Sequence, residues 1–234
     1  MPDLFGTGTL DMQVEQTGQA AAVLGWADVT VNRIAVLVLL VLLVLSLKDI
    51  LLVFPRLLHC VPRWKGVTDL EHSVGTARVR NSVALFAAFV FCVVADRLAL
   101  LNPSFKAALG PQWGIAVNAG LLLGMLILRR LIILLTPMRS RTSEFAASVR
   151  NCFFDYFILL VALMLISALL CAAFKLPDAF GRTLILVEII VFYALHLIRC
   201  TQILGSRYNI FTTFLYLCAL EILPVGILVF TCTR

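Results

Sequence analysis

The chain reads as an all-α membrane protein, a bundle of six transmembrane helices, and three observations place it in that class. Hydrophobic residues fill 62% of the 234 positions and charged residues only 14%, at a mean hydropathy of +1.02, which is far more apolar than a soluble domain of this length. The apolar residues gather into six runs, each close to the roughly 20 helical residues that cross a hydrocarbon core of about 30 Å. The runs are also continuous, whereas the strands of a membrane barrel alternate apolar and polar residues over about ten positions.

The predicted spans cover residues 34–54, 82–101, 113–135, 152–174, 183–203 and 211–231. Residues 1–33 form an outward-facing, partly ordered tail and residues 34–234 a single transmembrane domain. In the tail, Asp3, Asp11, Glu15 and Asp28 outnumber Arg33 and no basic stretch precedes the first span, so a retained tail is expected rather than a cleaved signal peptide. Trp26 is suited to anchor it at the interface. Asn102-Pro103 and Gly110-Pro111 bracket the turn between the second and third spans. Lys175, Pro177 and Gly181 mark the turn after the fourth span, and Leu204-Gly205-Ser206 the turn after the fifth. These connections are too short for a separate domain.

Basic residues set the orientation. Of the nineteen Lys and Arg, thirteen fall on the side of the loop 55–80, among them Lys48, Arg78, Arg129, Arg130 and Arg150, and six on the other, including Arg97, Lys106 and Lys175. The richer side is expected to be cytoplasmic, which makes the chain a multi-pass protein of a bacterial inner membrane with both termini periplasmic. The same bias accounts for the net charge of +6, so no nucleic-acid partner is expected. The loop 55–80 mixes Leu57, Leu58, Val61 and Trp64 with Arg56, Arg63 and Lys65. It serves either as a topogenic loop or as a contact for anionic lipid headgroups.

Recognisable catalytic chemistry is missing from the sequence. It holds no P-loop, no Gly-rich dinucleotide turn and no nucleophile elbow, and Asp69 and Glu71 read as solvated loop charges. His59-Cys60 with His72 brings metal-ligand types together at a spacing that fits no zinc pattern, so no metal and no cofactor are expected. Cys92, Cys152, Cys171, Cys200 and Cys218 fall within spans, where a thiol behaves as a small apolar residue.

Val79-Arg80-Asn81 opens the second span and Val149-Arg150-Asn151 the fourth, 70 residues apart, each ahead of an aromatic-rich stretch. Arg130 and Arg199, 69 residues apart, close the third and fifth spans. Spans two-three and four-five therefore read as two tandem helical hairpins in parallel orientation, with Asn81 equivalent to Asn151 and Arg130 to Arg199. The alternative is that each Arg-Asn pair is simply a helix start with a basic inner flank.

The sharpest functional pointer is Glu221, in the middle of the last apolar run and one turn before Pro224. A carboxyl group at that depth must face protein, pair with a donor or carry a proton. Tyr193, His196 and Arg199 on the preceding span are the candidate donors, depth favouring the first two. Pro224 should also free the backbone carbonyl of Leu220 one turn earlier. Glu188 and Arg199 share a helical face about 16 Å apart, too far for a direct pair. Asp96-Arg97 and Asp155 read as boundary charges. The set Glu188, His196, Arg199 and Glu221 either knits the helices together or lines a path for a proton, an ion or a polar headgroup.

The stretch from Phe214 to Leu228, with Leu220-Glu221-Ile222-Leu223-Pro224 at its centre, resembles the close of an uncharacterised multi-pass family of Bacteroidota, domain of unknown function number 4271. The Arg150-Asn151 entry to an aromatic helix is similar too. The resemblance implies an inner-membrane helical protein without established activity, with the family's Glu and Pro at Glu221 and Pro224. The function expected on these grounds is that of a non-enzymatic component or accessory subunit of an envelope assembly for secretion, motility or glycolipids. The alternative is a small transporter or flippase-like protein using the buried acids. Expected partners are membrane lipid and a second membrane protein or further copies of the chain.

The predicted orientation has a direct check. Cys60, at the inner end of the first span, should resist an impermeant thiol reagent in intact cells and react after permeabilisation; labelling from outside would reverse the topology.

Overall fold

The computed structural model describes residues 25–60, 74–135, 143–206 and 209–233. Among them the elements are all helical: α1 (Thr30–Cys60), α2 (Val74–Arg97), a short α3 (Ser104–Leu109), α4 (Gly114–Leu135), α5 (Ser143–Ala173), α6 (Asp178–Gly205), α7 (Ile210–Leu217) and α8 (Leu223–Thr233). A π-helical turn, Cys218–Ile222, joins α7 to α8. Six stretches are long and apolar enough to cross a membrane: Thr30–Pro55, Arg78–Arg97, Pro111–Leu134, Asn151–Ala173, Asp178–Gly205 and Ile210–Cys232. Helices suit hydrocarbon because each satisfies its own backbone polar groups.

Five of the spans close on one another. α2 packs against α4 and α5, α5 against α6, α6 against α7, and the π turn and α8 return to α4. α1 lies outside this ring, packed on α2 and touching α5. The main core forms where α1, α2, α5 and α6 meet, from Val53, Leu57, Val83, Val90, Ile158, Met164 and Ile185. A second core near the end of the bundle away from the described termini joins Cys152 and Tyr156 of α5 to Cys200, Ile203 and Leu204 of α6 and Leu220 of the π turn. The outer faces carry exposed apolar side chains, Leu37, Val44, Leu45 and Leu51 on α1 and Val187, Ile190 and Ile198 on α6 among them. That is the surface a lipid solvent calls for.

Several helices run past the predicted spans: α1 continues to Cys60, α2 begins at Val74, α5 at Ser143, and α6 covers Asp178–Gly205. The second span was predicted to run to residue 101, but α2 ends at Arg97 because Ala99 takes a left-handed conformation (φ 49°) and the amide of Leu100 bonds back to the carbonyl of Ala95 at 2.9 Å. α5 ends in the same way, with Lys175 at φ 51° and the Leu176 amide on the Cys171 carbonyl at 2.9 Å. Pro103 and Pro177 then precede α3 and α6, so the two hairpins turn alike at this end.

Ordered contact also begins before residue 34. The Trp26–Asp28 turn leads into α1, and Asn32 donates to the Trp26 carbonyl at 2.9 Å. The Trp26 indole donates to Asp96 Oδ2 at 2.7 Å, while Lys106 of α3 pairs with Asp96 Oδ1 at 2.8 Å. Asp96 is thus a buried acceptor for two segments rather than a solvated boundary charge. Asp155 is buried as well, 3.8 Å from Arg80 of α2 at the opposite end. In both cases the helix end is covered by a neighbouring segment that brings its own donor.

Gly114 begins α4 directly beneath Asp96: a Cβ there would lie 2.1 Å from Asp96 Oδ1 and 2.7 Å from its Cγ. Because Trp26 and Lys106 hold that carboxylate, it cannot simply swing away. Gly114→Ala should therefore destabilise the bundle by about 1–3 kcal/mol, read as a lower unfolding temperature in detergent, whereas Gly120→Ala, which meets open space, should not.

Candidate functional site

Glu221 sits in the π turn and is buried, and the carbonyl of Cys218 accepts from the amide of Leu223, the five-residue spacing that defines the turn. Pro224 has no amide hydrogen and follows at once, so the helix cannot keep a regular ladder through this point. The irregular turn turns Glu221 into the ring of helices. There its two carboxylate oxygens are taken by two different spans: Arg129 of α4 donates from Nη2 to Oε1 at 2.5 Å, and His196 of α6 meets Oε2 through Nε2 at 3.0 Å. All three side chains are nearly inaccessible, at 3–4% exposure, so the ion pair is sheltered from water and lipid alike. Tyr193 donates its hydroxyl to the backbone carbonyl of Glu221 at 3.2 Å, which serves a polar backbone group at the break.

Phe153 of α5 completes the wall. The Arg129 guanidinium lies over its ring, 4.4 Å from the centroid, and the ring meets His196 edge-on at 5.7 Å. Charge on Arg129 is therefore met by a carboxylate on one side and a π face on the other. Cys152 and Cys200 also approach His196: Cys152 Sγ is 3.9 Å from Nδ1, and Cys200 Sγ is 3.8 Å from Nδ1, 3.6 Å from Nε2 and 4.0 Å from Glu221 Oε1. Four helical segments, α4, α5, α6 and the π turn, thus meet at one buried polar centre.

The sequence candidates divide here. Glu221, His196, Tyr193 and Pro224 come together, Tyr193 through the backbone carbonyl of Glu221 rather than its carboxylate. Arg199 does not: it lies a turn beyond His196, toward the end of the bundle, and donates to Gln202 Oε1 at 2.7 Å. Glu188 is further along α6 in the other direction and accepts from Ser167 of α5, so it belongs to a separate interhelical bond. The residue that sequence reasoning missed is Arg129, counted there among the inner flanking charges. Its signal was available, because it lies within the predicted apolar span 113–135, six residues before that span ends. The pairing of His196 with Cys200 one turn later was likewise visible and was absorbed into the view of cysteines as apolar filler.

The proposed repeat positions have unequal surroundings. Asn151 is buried and Asn81 exposed; Arg130 is exposed and Arg199 half-buried. Asn81, Asn151 and Arg130 nevertheless converge, with Arg80, Phe153 and Phe154, on a cavity of about 490 Å³ between α2, α4 and α5, and Arg199 is not among its lining residues. For the expected headgroup contacts, Arg63, Lys65 and the side chain of Arg56 lie outside the described residues, as do His72 and the side chains of His59 and Cys60.

Six apolar spans, five of them closed on one another with a buried ionic centre among them, define an integral membrane protein of the helical-bundle class. The sequence profile of the family described as Domain of unknown function (DUF4271) matches residues 69–230, well over half of the chain, and the chain belongs to that family. The matched residues contain the five-span ring and every group at the polar centre; α1 precedes them. No curated protein and no solved structure matches the chain.

The central pair can be tested by a mutant cycle. Glu221→Leu should cost about 3–5 kcal/mol of stability by leaving the Arg129 guanidinium buried without its counter-charge, and combining it with Arg129→Met should recover much of that loss. Thermal unfolding of the purified variants in detergent measures both; strictly additive losses would show that the two residues are not coupled.

Proposed function

We propose that this protein is a non-enzymatic component or accessory subunit of an envelope assembly in a bacterial inner membrane, with both termini on the periplasmic side. The observation that carries this reading is the closed state of the polar centre. Both oxygens of Glu221 are committed to groups from other spans, and Arg129 lies between that carboxylate and the Phe153 ring. Such an arrangement holds α4, α6 and the last span in one register, which suits a rigid part to which other proteins attach. The protein–protein role fits the broad apolar faces of α1 and α6, which can take neighbouring membrane helices as readily as lipid. Secretion, motility and glycolipid pathways are the envelope systems such a part would serve.

A second reading, a small transporter or flippase-like protein, is favoured by two features. Glu221 occupies a π turn next to a proline, the kind of irregular backbone found along ion and substrate paths. The 490 Å³ cavity also presents Arg80, Arg130, Asn81 and Asn151 together with aromatic side chains, a combination that suits an anionic headgroup on an apolar tail.

Glu221→Gln keeps hydrogen bonding and removes ionisation, so it separates the two. For a structural component, the Gln variant should remain at normal abundance and retain its stoichiometric membrane partner on mild solubilisation, while Glu221→Leu should reduce both. A Gln variant that is abundant and fully partnered but fails in cells would favour the transport reading.

A further inference from the structure

The polar centre has an unexplained side. Cys152, His196 and Cys200 are all buried, and one ligand atom from each lies within 4.8 Å of the others. They come from α5 and α6, the most extensively packed pair of helices, so their positions do not depend on a loop. We propose that Cys152 Sγ, Cys200 Sγ and His196 Nδ1 form a binding site for a thiophilic metal ion, zinc(II) or copper(I).

The geometry is close to what such an ion requires. With metal–sulfur bonds of about 2.3 Å and metal–nitrogen bonds of about 2.0 Å, donor atoms around a tetrahedral ion stand roughly 3.5–3.8 Å apart. The two sulfur to Nδ1 separations are 3.9 and 3.8 Å and one ligand atom from each residue lies within 4.8 Å of the others, so side-chain adjustment, of Cys200 above all, would bring all three onto one ion. Thiolate and imidazole donors together select zinc or copper(I) over the hard cations, which prefer oxygen.

An independent feature is the orientation of the imidazole. Metal-bound histidines commonly give their second nitrogen to a carboxylate, which fixes the ring and its tautomer. Here Nε2 is engaged by Glu221 Oε2 at 3.0 Å, and Glu221 is in turn fixed by Arg129. That leaves Nδ1 for the ion, 3.9 Å from Cys152 Sγ; Cys200 Sγ, now 3.8 Å from Nδ1 and 3.6 Å from Nε2, would turn toward it by rotation of its side chain. A proton on Nε2 makes Nδ1 the lone-pair atom, which is what a metal takes.

Charge also balances at a depth where imbalance is costly. Two thiolates neutralise a divalent ion, and Arg129 neutralises Glu221, so the zinc form of the centre adds no net charge to the bundle. Binding replaces two thiol protons, which leave as the ion enters. No electron transfer is needed. Glu221 Oε1 at 4.0 Å from Cys200 Sγ is near enough to orient the site, while its existing partners keep it from serving as a fourth ligand.

The experiment uses the full chain, purified in mild detergent under reducing conditions, and offers the metals separately. Elemental analysis should find about one equivalent of zinc per chain after zinc loading, or of copper after copper(I) loading, and whichever is held against a competing chelator identifies the ion. X-ray absorption on the loaded wild-type protein should show a sulfur shell at about 2.3 Å with a nitrogen shell near 2.0 Å for zinc, a readout that needs no variant. Cys152→Ser combined with Cys200→Ser should abolish tight binding, while Cys171→Ser should leave it intact. A wild-type chain that retains neither ion, a bound ion with no sulfur in its shell, or a Cys152–Cys200 disulfide in protein isolated under alkylating conditions would each overturn the proposal.

Discussion

A carboxylate in the middle of a membrane span cannot be left to hydrocarbon, and the arrangement of this bundle follows from that constraint. The Arg129 guanidinium and the His196 imidazole each take one oxygen of Glu221, and the three residues come from α4, α6 and the π turn. Any rotation or slide of one span relative to the others would break a charge-assisted bond where no water can replace it. Apolar packing alone discriminates weakly between helix registers in lipid, because the solvent is as apolar as the side chains. A buried ion pair discriminates strongly. Its net contribution to stability is modest, since two charges must first be desolvated, but breaking it is expensive.

The backbone irregularity at Cys218–Ile222 serves the same end. Pro224 interrupts the ladder of the last span, and the π turn before it widens the helix where Glu221 must reach inward. Tyr193 donates to the Glu221 carbonyl, which ties α6 to the backbone of the irregular turn. Phe153 closes the remaining side through contacts with both Arg129 and His196. Away from this centre the same logic recurs on a smaller scale: Asp96 gathers Trp26 and Lys106 at the end near the described termini, Arg80 meets Asp155 at the other, and Ser167 meets Glu188 between α5 and α6. Trp26–Asp96 and Arg80–Asp155 join segments distant in the chain, while Lys106–Asp96 and Ser167–Glu188 tie neighbouring helices together.

The division at residue 69 gives the architecture a further meaning. The family match begins there and takes in the five spans that close on one another, whereas α1 stands before it and packs on the outside of α2. The polar centre is therefore a property of the ring, and α1 contributes through the apolar core it shares with α2 and α5.

Much of this was legible in the amino-acid sequence. Six spans follow from run length and continuity, and the depth of Glu221 follows from its place in the last run, because both depend only on local composition measured against the thickness of a bilayer. His196 and Tyr193 could be named as partners since they lie on the preceding antiparallel span at matching depth. Arg129 could not be named in that way. It lies 92 residues from Glu221, and which of two adjacent arginines turns inward depends on how α4 is rotated against the last span, a quantity set by packing and invisible to hydropathy. The same holds for Cys152, which looks like apolar filler until α5 and α6 are laid side by side around His196. Sequence alone determined the solvent, the number of spans and the costly position of Glu221. Tertiary structure decided which groups share its site, because partners in lipid are chosen by helix rotation and neighbour order, and neither is written in the composition of a single span.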